Sequence, residues 1–185
     1  WNGAGNQTVK TPSVGAKYHH LKTATSGTKT LSGAITVNGN LTIESGTTLD
    51  VKSGNNYAIS IKGNWIDNNG GSGFEERAGT VTFTSTSAQS ITNSTGETFC
   101  KLTINKASND VTLNNGIFLL GSAGSGQLTL TSGDIILGSN NIELMTGCAL
   151  SGGSATSYIQ ITGTGMVRRY YDPSDVNVNR LFPVG

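Results

Sequence analysis

The chain has 185 residues, enough for one folded core, with a net charge of +1 and only 12% charged residues. It holds no block of like charge, so neither nucleic acid nor an anionic membrane surface is indicated as a partner. No apolar run approaches the roughly 18 residues that span a bilayer, and no segment reads as a signal peptide or predicts membrane insertion.

In chain order, the apolar signal has period two. Ile35/Val37, Leu41/Ile43, Leu49/Val51 and Ile59/Ile61 each read as a short strand with one face inward. Asn-Gly, Ser-Gly, Gly-Asn and Asn-Asn punctuate them, residues that tolerate left-handed backbone angles at corners. A Gly-rich insertion over 68–74 leads into Glu75-Glu76-Arg77. The pattern then resumes with Leu102/Ile104, Val111/Leu113, Ile117/Leu119, Leu128/Leu130, Ile135/Leu137, Ile142/Leu144 and Ile159/Ile161. No stretch shows helical spacing with caps, so the chain is all-β.

The first part of the chain recurs in the second. Gln7-Thr-Val9 matches Gln89-Ser-Ile91, Leu21 matches Leu102, Leu41-Thr-Ile43 matches Leu128-Thr-Leu130, and Ser45-Gly matches Ser132-Gly. Short strands of this kind build either an antiparallel sandwich or a β-solenoid. The large repeat, the absence of alternating hairpin turns and Greek-key connections, and a shorter echo between Val37–Ile43 and Ile59–Trp65 favour the solenoid. The expected fold is an all-β, right-handed parallel β-helix, or β-solenoid, of two degenerate copies of about 82 residues. Copy one spans 1–82 and copy two 83–162, and 163–185 is a junction to a following domain. Both ends read as cut, so a longer parent chain is expected.

Few residues invite chemistry. His19-His20 alternate across a strand and cannot readily share a metal. Glu75-Glu76 read as loop carboxylates of ordinary acidity without apolar neighbours, although glycoside hydrolysis uses such pairs. The aspartates Asp50, Asp67, Asp110, Asp134, Asp172 and Asp175 are scattered. Cys100 and Cys148 read as small buried residues, with a disulfide as the alternative. No catalytic residue, metal ligand or cofactor site is expected, and the chain reads as no enzyme. Arg168, Arg169, Tyr170 and Tyr171, with Asp172, Asp175 and Arg180, gather where the repeat ends and are the interface candidates, since arginine and tyrosine are favoured at binding surfaces. The other reading of this cluster is a cap on the coil. Thr80-Val-Thr-Phe-Thr84 suggests an ice-binding array, but its threonines are not expected to recur at a fixed rung spacing across several coils.

Gly79-Thr-Val-Thr-Phe83, Ala88-Gln-Ser-Ile91 and Thr98–Asn105 resemble the repeat of large secreted Bacteroidetes surface proteins, and Ser151–Tyr158, Gly165–Arg169 and Leu181–Gly185 resemble the segment that follows the solenoid in them. The resemblance covers essentially the whole chain. It implies export by type IX secretion, an extracellular or cell-surface location, and adhesin-like multidomain parents. The expected role is a non-catalytic stalk, spacer or adhesion surface. Its partners would be neighbouring domains of the same chain, surface glycans or secretion components. The alternatives are a carbohydrate-binding module, a β-helix polysaccharide-active enzyme, and ice binding.

Overall fold

Strands of three residues with two side chains inward and one outward cannot bury a core as hairpins, but they can when stacked on copies of themselves. The computed structural model describes residues 1–119, 126–173, 182 and 184, and among these 21 strands are present. The chain starts with β1 (Gln7–Val9) and then winds through seven coils. Coil one carries β2 (Leu21–Thr23) and β3 (Gly27–Leu31); coil two carries β4 (Ile35–Val37), β5 (Leu41–Ile43) and β6 (Thr47–Asp50). Coil three has β7 (Ile59–Ile61), β8 (Trp65–Asp67) and β9 (Phe74–Glu75), and coil four β10 (Thr80–Phe83), β11 (Gln89–Asn93) and β12 (Glu97–Phe99). Coil five follows with β13 (Lys101–Asn105), β14 (Val111–Leu113) and β15 (Ile117–Leu119), and coil six with β16 (Gln127–Ser132), β17 (Ile135–Ile136) and β18 (Ile142–Leu144). Coil seven is β19 (Ala149–Gly152), β20 (Ile159–Gln160) and β21 (Val167–Arg169).

Every strand pair among these is parallel, which establishes the β-solenoid and removes the antiparallel sandwich. The first face is β4-β7-β10-β13-β16-β19, and the second is β2-β5-β8-β11-β14-β17-β20. The third face is two sheets, β1-β3-β6-β9 and β12-β15-β18-β21, with no ladder joining β9 to β12. Inward columns fill the interior: Ile35, Ile59, Val81, Leu102 and Leu128 stack in register along the first face. Each fully buried aliphatic of this kind contributes about 1.5–3 kcal/mol through removal from water.

Corners are held by side chains that imitate one more strand. The backbone N–H of Asn40 donates to His20 Nδ1 (2.8 Å), that of Asn64 to Asn40 Oδ1 (2.9 Å), and that of Ser90 to Asn64 Oδ1 (2.9 Å). Asp110 and Asp134 continue the device, accepting from the N–H groups of Asp134 and Tyr158. Glycine is required beside this ladder at Gly63, where a Cβ would lie 2.3 Å from the Gly39 carbonyl carbon one coil below.

The repeat in the sequence has an unexpected geometry. Leu21 lies on the second face and its match Leu102 on the first; Leu41 and Leu128 are offset in the same way. Matched strands (β2 with β13, β5 with β16, β6 with β17) are eleven apart, which is three and two-thirds coils. The likeness therefore joins strands on different faces, because every strand carries the same in-out-in pattern. The unit that does repeat in space is the coil, as in Ile35 on Ile59 and Leu41 on Trp65. The position dividing 82 from 83 falls inside β10. One expected inward residue is corrected: Ile161 lies beyond β20 and is 40% exposed.

Candidate functional site

Two groups of polar residues stand out from the solenoid, one inside its wall and one outside. The inner group sits where the third face is interrupted. Alternation along β8 sends Trp65 and Asp67 inward, and alternation along β12 sends Glu97 and Phe99 inward. Trp65 packs edge-on against Phe74 (4.8 Å between centroids) and Phe99 (5.4 Å), and this trio fills the seam between β9 and β12.

Asp67 and Glu97 are 1% and 2% exposed. Glu97 Oε2 accepts hydrogen bonds from Trp65 Nε1 (2.6 Å) and Asn93 Nδ2 (3.3 Å), and its Oε1 accepts from the Thr98 N–H (3.0 Å). Asp67 Oδ1 accepts from the Asn69 N–H (2.7 Å), whereas the buried Oδ2 has no donor. The Gly70–Ser72 3-10 turn closes over this corner, and Gly73 lies so near that a Cβ there would collide with the Asp67 carboxyl. Burial pushes Glu97 up to about 8, with the Asp67 charge adding to the effect. Burial likewise raises Asp67 to about 6, against the lowering effect of its hydrogen bonds to Asn69 and Glu97. At neutral pH the pair therefore shares one proton, which supplies the hydrogen that Asp67 Oδ2 lacks. Chemically this is a buried carboxyl pair that holds one proton between its two members at neutral pH, inside an aromatic wall.

The outer group lies on the third face of coils four to seven. In register across β12, β15, β18 and β21 the outward residues are Thr98, Phe118, Glu143 and Arg168. Arg168 Nη1 lies 3.0 Å from Glu143 Oε1, and the Tyr170 hydroxyl donates to Glu143 Oε2 at 2.8 Å, so both carboxylate oxygens are fixed in place. That contact raises the Tyr170 pKa, chiefly because the phenol donates to Glu143. Arg169 points the other way and donates to the Cys148 carbonyl (2.8 Å). Beside Glu143 runs a groove of about 320 Å³ whose walls include Phe118, Thr95, Asn115, Asn140, Asn141 and Ser139.

Sequence reasoning found half of this. It named Arg168, Arg169, Tyr170 and Tyr171. The structure brings Arg168 and Tyr170 together on Glu143, turns Arg169 away, and leaves Tyr171 44% exposed. Asp175 and Arg180 lie outside the described residues. Phe118, Glu143 and Glu97 were missed, and Asp67 passed as one scattered aspartate. The signal was the alternation itself, which puts Glu97 inward with Phe99 and Glu143 outward between Ile142 and Leu144.

The structure also bears on three further readings. His19 and His20 precede β2 and do not alternate across a strand as the sequence suggested: their rings meet edge-on at 4.5 Å, and His20 Nδ1 accepts the Asn40 N–H of the corner ladder. Among the described residues no group of three or more His, Cys, Asp or Glu side chains could hold a metal ion. Glu76 is not an ordinary loop carboxylate, since burial raises its pKa; the adjoining Phe74 is a core residue, and Arg77 bonds Asp50 (2.6 Å). Cys100 and Cys148 are both buried and not disulfide-bonded, and burial pushes the Cys148 thiol up.

The hydroxyl array is also corrected. Thr36, Ser60, Thr82, Thr103, Thr129 and Ser151 stand in register on the outside of the first face. Successive coils differ in length, 24 residues from Ile35 to Ile59 but 21 from Val81 to Leu102, so the column is invisible as a fixed sequence period. It is one column wide: its neighbours in register include Lys101, Gln127 and Ala149.

No protein-family model, curated protein or solved structure matches this chain.

Proposed function

We propose that this chain is a non-catalytic β-solenoid segment of a large exported bacterial surface protein, serving as a stalk, spacer or adhesion surface. The observation that carries the reading is the use made of the polar residues. His20, Asn40, Asn64, Asp110 and Asp134 hold one coil to the next, and the two least exposed carboxyls, Asp67 and Glu97, are closed off behind Trp65, Phe74 and Phe99. Seven coils at roughly 4.8 Å give a rod about 34 Å long, with its outer faces free for repeated weak contacts. Export and a surface location rest on the resemblance of the repeat motif at Gly79-Thr-Val-Thr-Phe83 and of the C-terminal run through Gly165–Arg169. Neighbouring domains of the parent chain and surface glycans are the partners this reading names; nucleic acid is not among them. No helix among the described residues is long and apolar enough to cross a membrane.

The test couples the chain to beads and measures their retention under flow on glycan-coated surfaces, alongside reducing-end release from a panel of polysaccharides. Retention without release is expected. Polysaccharide cleavage abolished by Glu97→Gln or Glu143→Gln would make the chain an enzyme and overturn the proposal.

A further inference from the structure

The outer face of coils four to six has the composition of a sugar site. Phe118 is the one aromatic lining the groove among the described residues, and it is positioned by its neighbour: a Cβ on Gly96 would come within 2.7 Å of Phe118 Cε2. Gly96 has φ +94°, a backbone angle that disfavours any other residue, so the chain keeps that space clear and the ring settles over it. Apolar C–H faces of pyranoses pack on aromatic rings held in this manner.

Around the ring, the amides are half-spent. Asn115 Oδ1 accepts the Asn93 N–H (3.1 Å) and Asn141 Oδ1 accepts the Met166 N–H (3.0 Å), and neither NH₂ group has a partner among the described residues. Asn140 is the reverse. Its Nδ2 donates to the Leu113 carbonyl (2.7 Å) and the Leu137 carbonyl (3.2 Å), and its Oδ1 remains to accept. Glu143, held at both oxygens by Arg168 and Tyr170, keeps further lone pairs for hydroxyl donors. Ser94, Thr95 and Ser139 add hydroxyls. Donors and acceptors thus alternate beside one aromatic face, at the low end of the roughly 300–1,000 Å³ range of ligand sites.

We infer that this groove binds a neutral oligosaccharide, one sugar ring lying on Phe118 with its hydroxyls shared among Asn115, Asn140, Asn141 and Glu143. Neutrality follows from Glu143, which repels the carboxylate of an acidic sugar, while Arg168 beside it is engaged with Glu143 itself. The inference rests on the adhesive reading above and supplies its ligand class.

The experiment is calorimetric titration of the chain with xylotetraose, cellotetraose, mannotetraose and galactotetraose, and with trigalacturonate as the acidic probe. Binding of at least one neutral probe in the roughly micromolar to millimolar range is expected. Phe118→Ala is expected to weaken it at least tenfold and Glu143→Gln severalfold, both with an unchanged far-ultraviolet spectrum. Glu143→Gln serves as the second variant because both positions face outward. No binding of any neutral probe, equal binding by Phe118→Ala, or preference for trigalacturonate would each overturn the inference. Bead retention separates the two claims: beads that adhere without dependence on Phe118 sink the groove alone, whereas beads that do not adhere sink the adhesive function.

Discussion

Glu97 and Glu143 belong to the same four-stranded sheet, two coils apart, and face opposite sides of one wall. Glu97 points inward among Trp65, Phe74 and Phe99, takes three hydrogen bonds, and is neutral at pH 7 because burial has raised its pKa to about 8. Glu143 points outward, its side chain 15% exposed, and pairs with an arginine and a tyrosine. One residue type thus serves two purposes, set only by which side of the strand it occupies. Inside, a carboxyl without a counter-ion is tolerated by keeping its proton. Outside, a carboxylate with a counter-ion is available to hydrogen-bond a ligand.

The sharpest way to break the comparison is at Trp65, which is fully buried and bonds Glu97. Trp65→Ala is expected to cost about 3–5 kcal/mol through the cavity and the lost donor, read by urea unfolding. A loss below 1 kcal/mol would mean that the seam is loosely packed and the inner pair solvated.

A second effect, on the order of a few kcal/mol, belongs to pH. The folded-state values of Asp67 and Glu97 lie above the ordinary carboxylate range, so between about pH 4 and 8 the folded chain binds more protons than the unfolded chain. This contribution is fully present below about pH 4 and is lost as pH rises through 6 and then 8. The melting temperature should fall along that limb, and Glu97→Gln, which cannot ionise, should flatten its upper part. A melting temperature that climbs from pH 5 to 8 would contradict the shared proton.

Smaller still is the outer ion pair. Arg168→Ala should change stability by no more than about 1 kcal/mol, because its side chain is 46% exposed and solvent screens the pair. For a chain of this size that is roughly 2–4 °C in a thermal scan. A larger loss would recast Arg168 and Tyr170 as a structural clamp on coils six and seven and weaken the contrast with Glu97.

The fold was legible because period-two alternation survives in nearly every strand. In ten of the eleven aliphatic pairs read from the sequence both members are buried, and in eight of those both lie within one strand, such as Leu128/Leu130 and Ile142/Leu144. What escaped was hidden by polar residues on inward positions. β3 buries Lys29, whose ammonium donates to the carbonyls of Gly3, Gly5 and Ser26; β11 buries Gln89 and Asn93; β8 and β12 bury Asp67 and Glu97. A hydropathy pattern reads each of these as an outward residue. The groove was hidden for a second reason. Its residues come from three coils and meet only when the register is known, and that register changes from coil to coil by several residues. The large sequence repeat pointed to the right architecture while joining strands from the wrong faces.

The central claim is that binding belongs to the outside of the third face and that the carboxyls inside it serve the fold. Bead retention on a neutral-glycan surface at pH 7, compared among the parent chain, Glu97→Gln and Phe118→Ala, tests it most directly. Glu97→Gln is expected to adhere like the parent and Phe118→Ala to detach. A folded Glu97→Gln chain that detaches, beside a Phe118→Ala chain that holds, would contradict it.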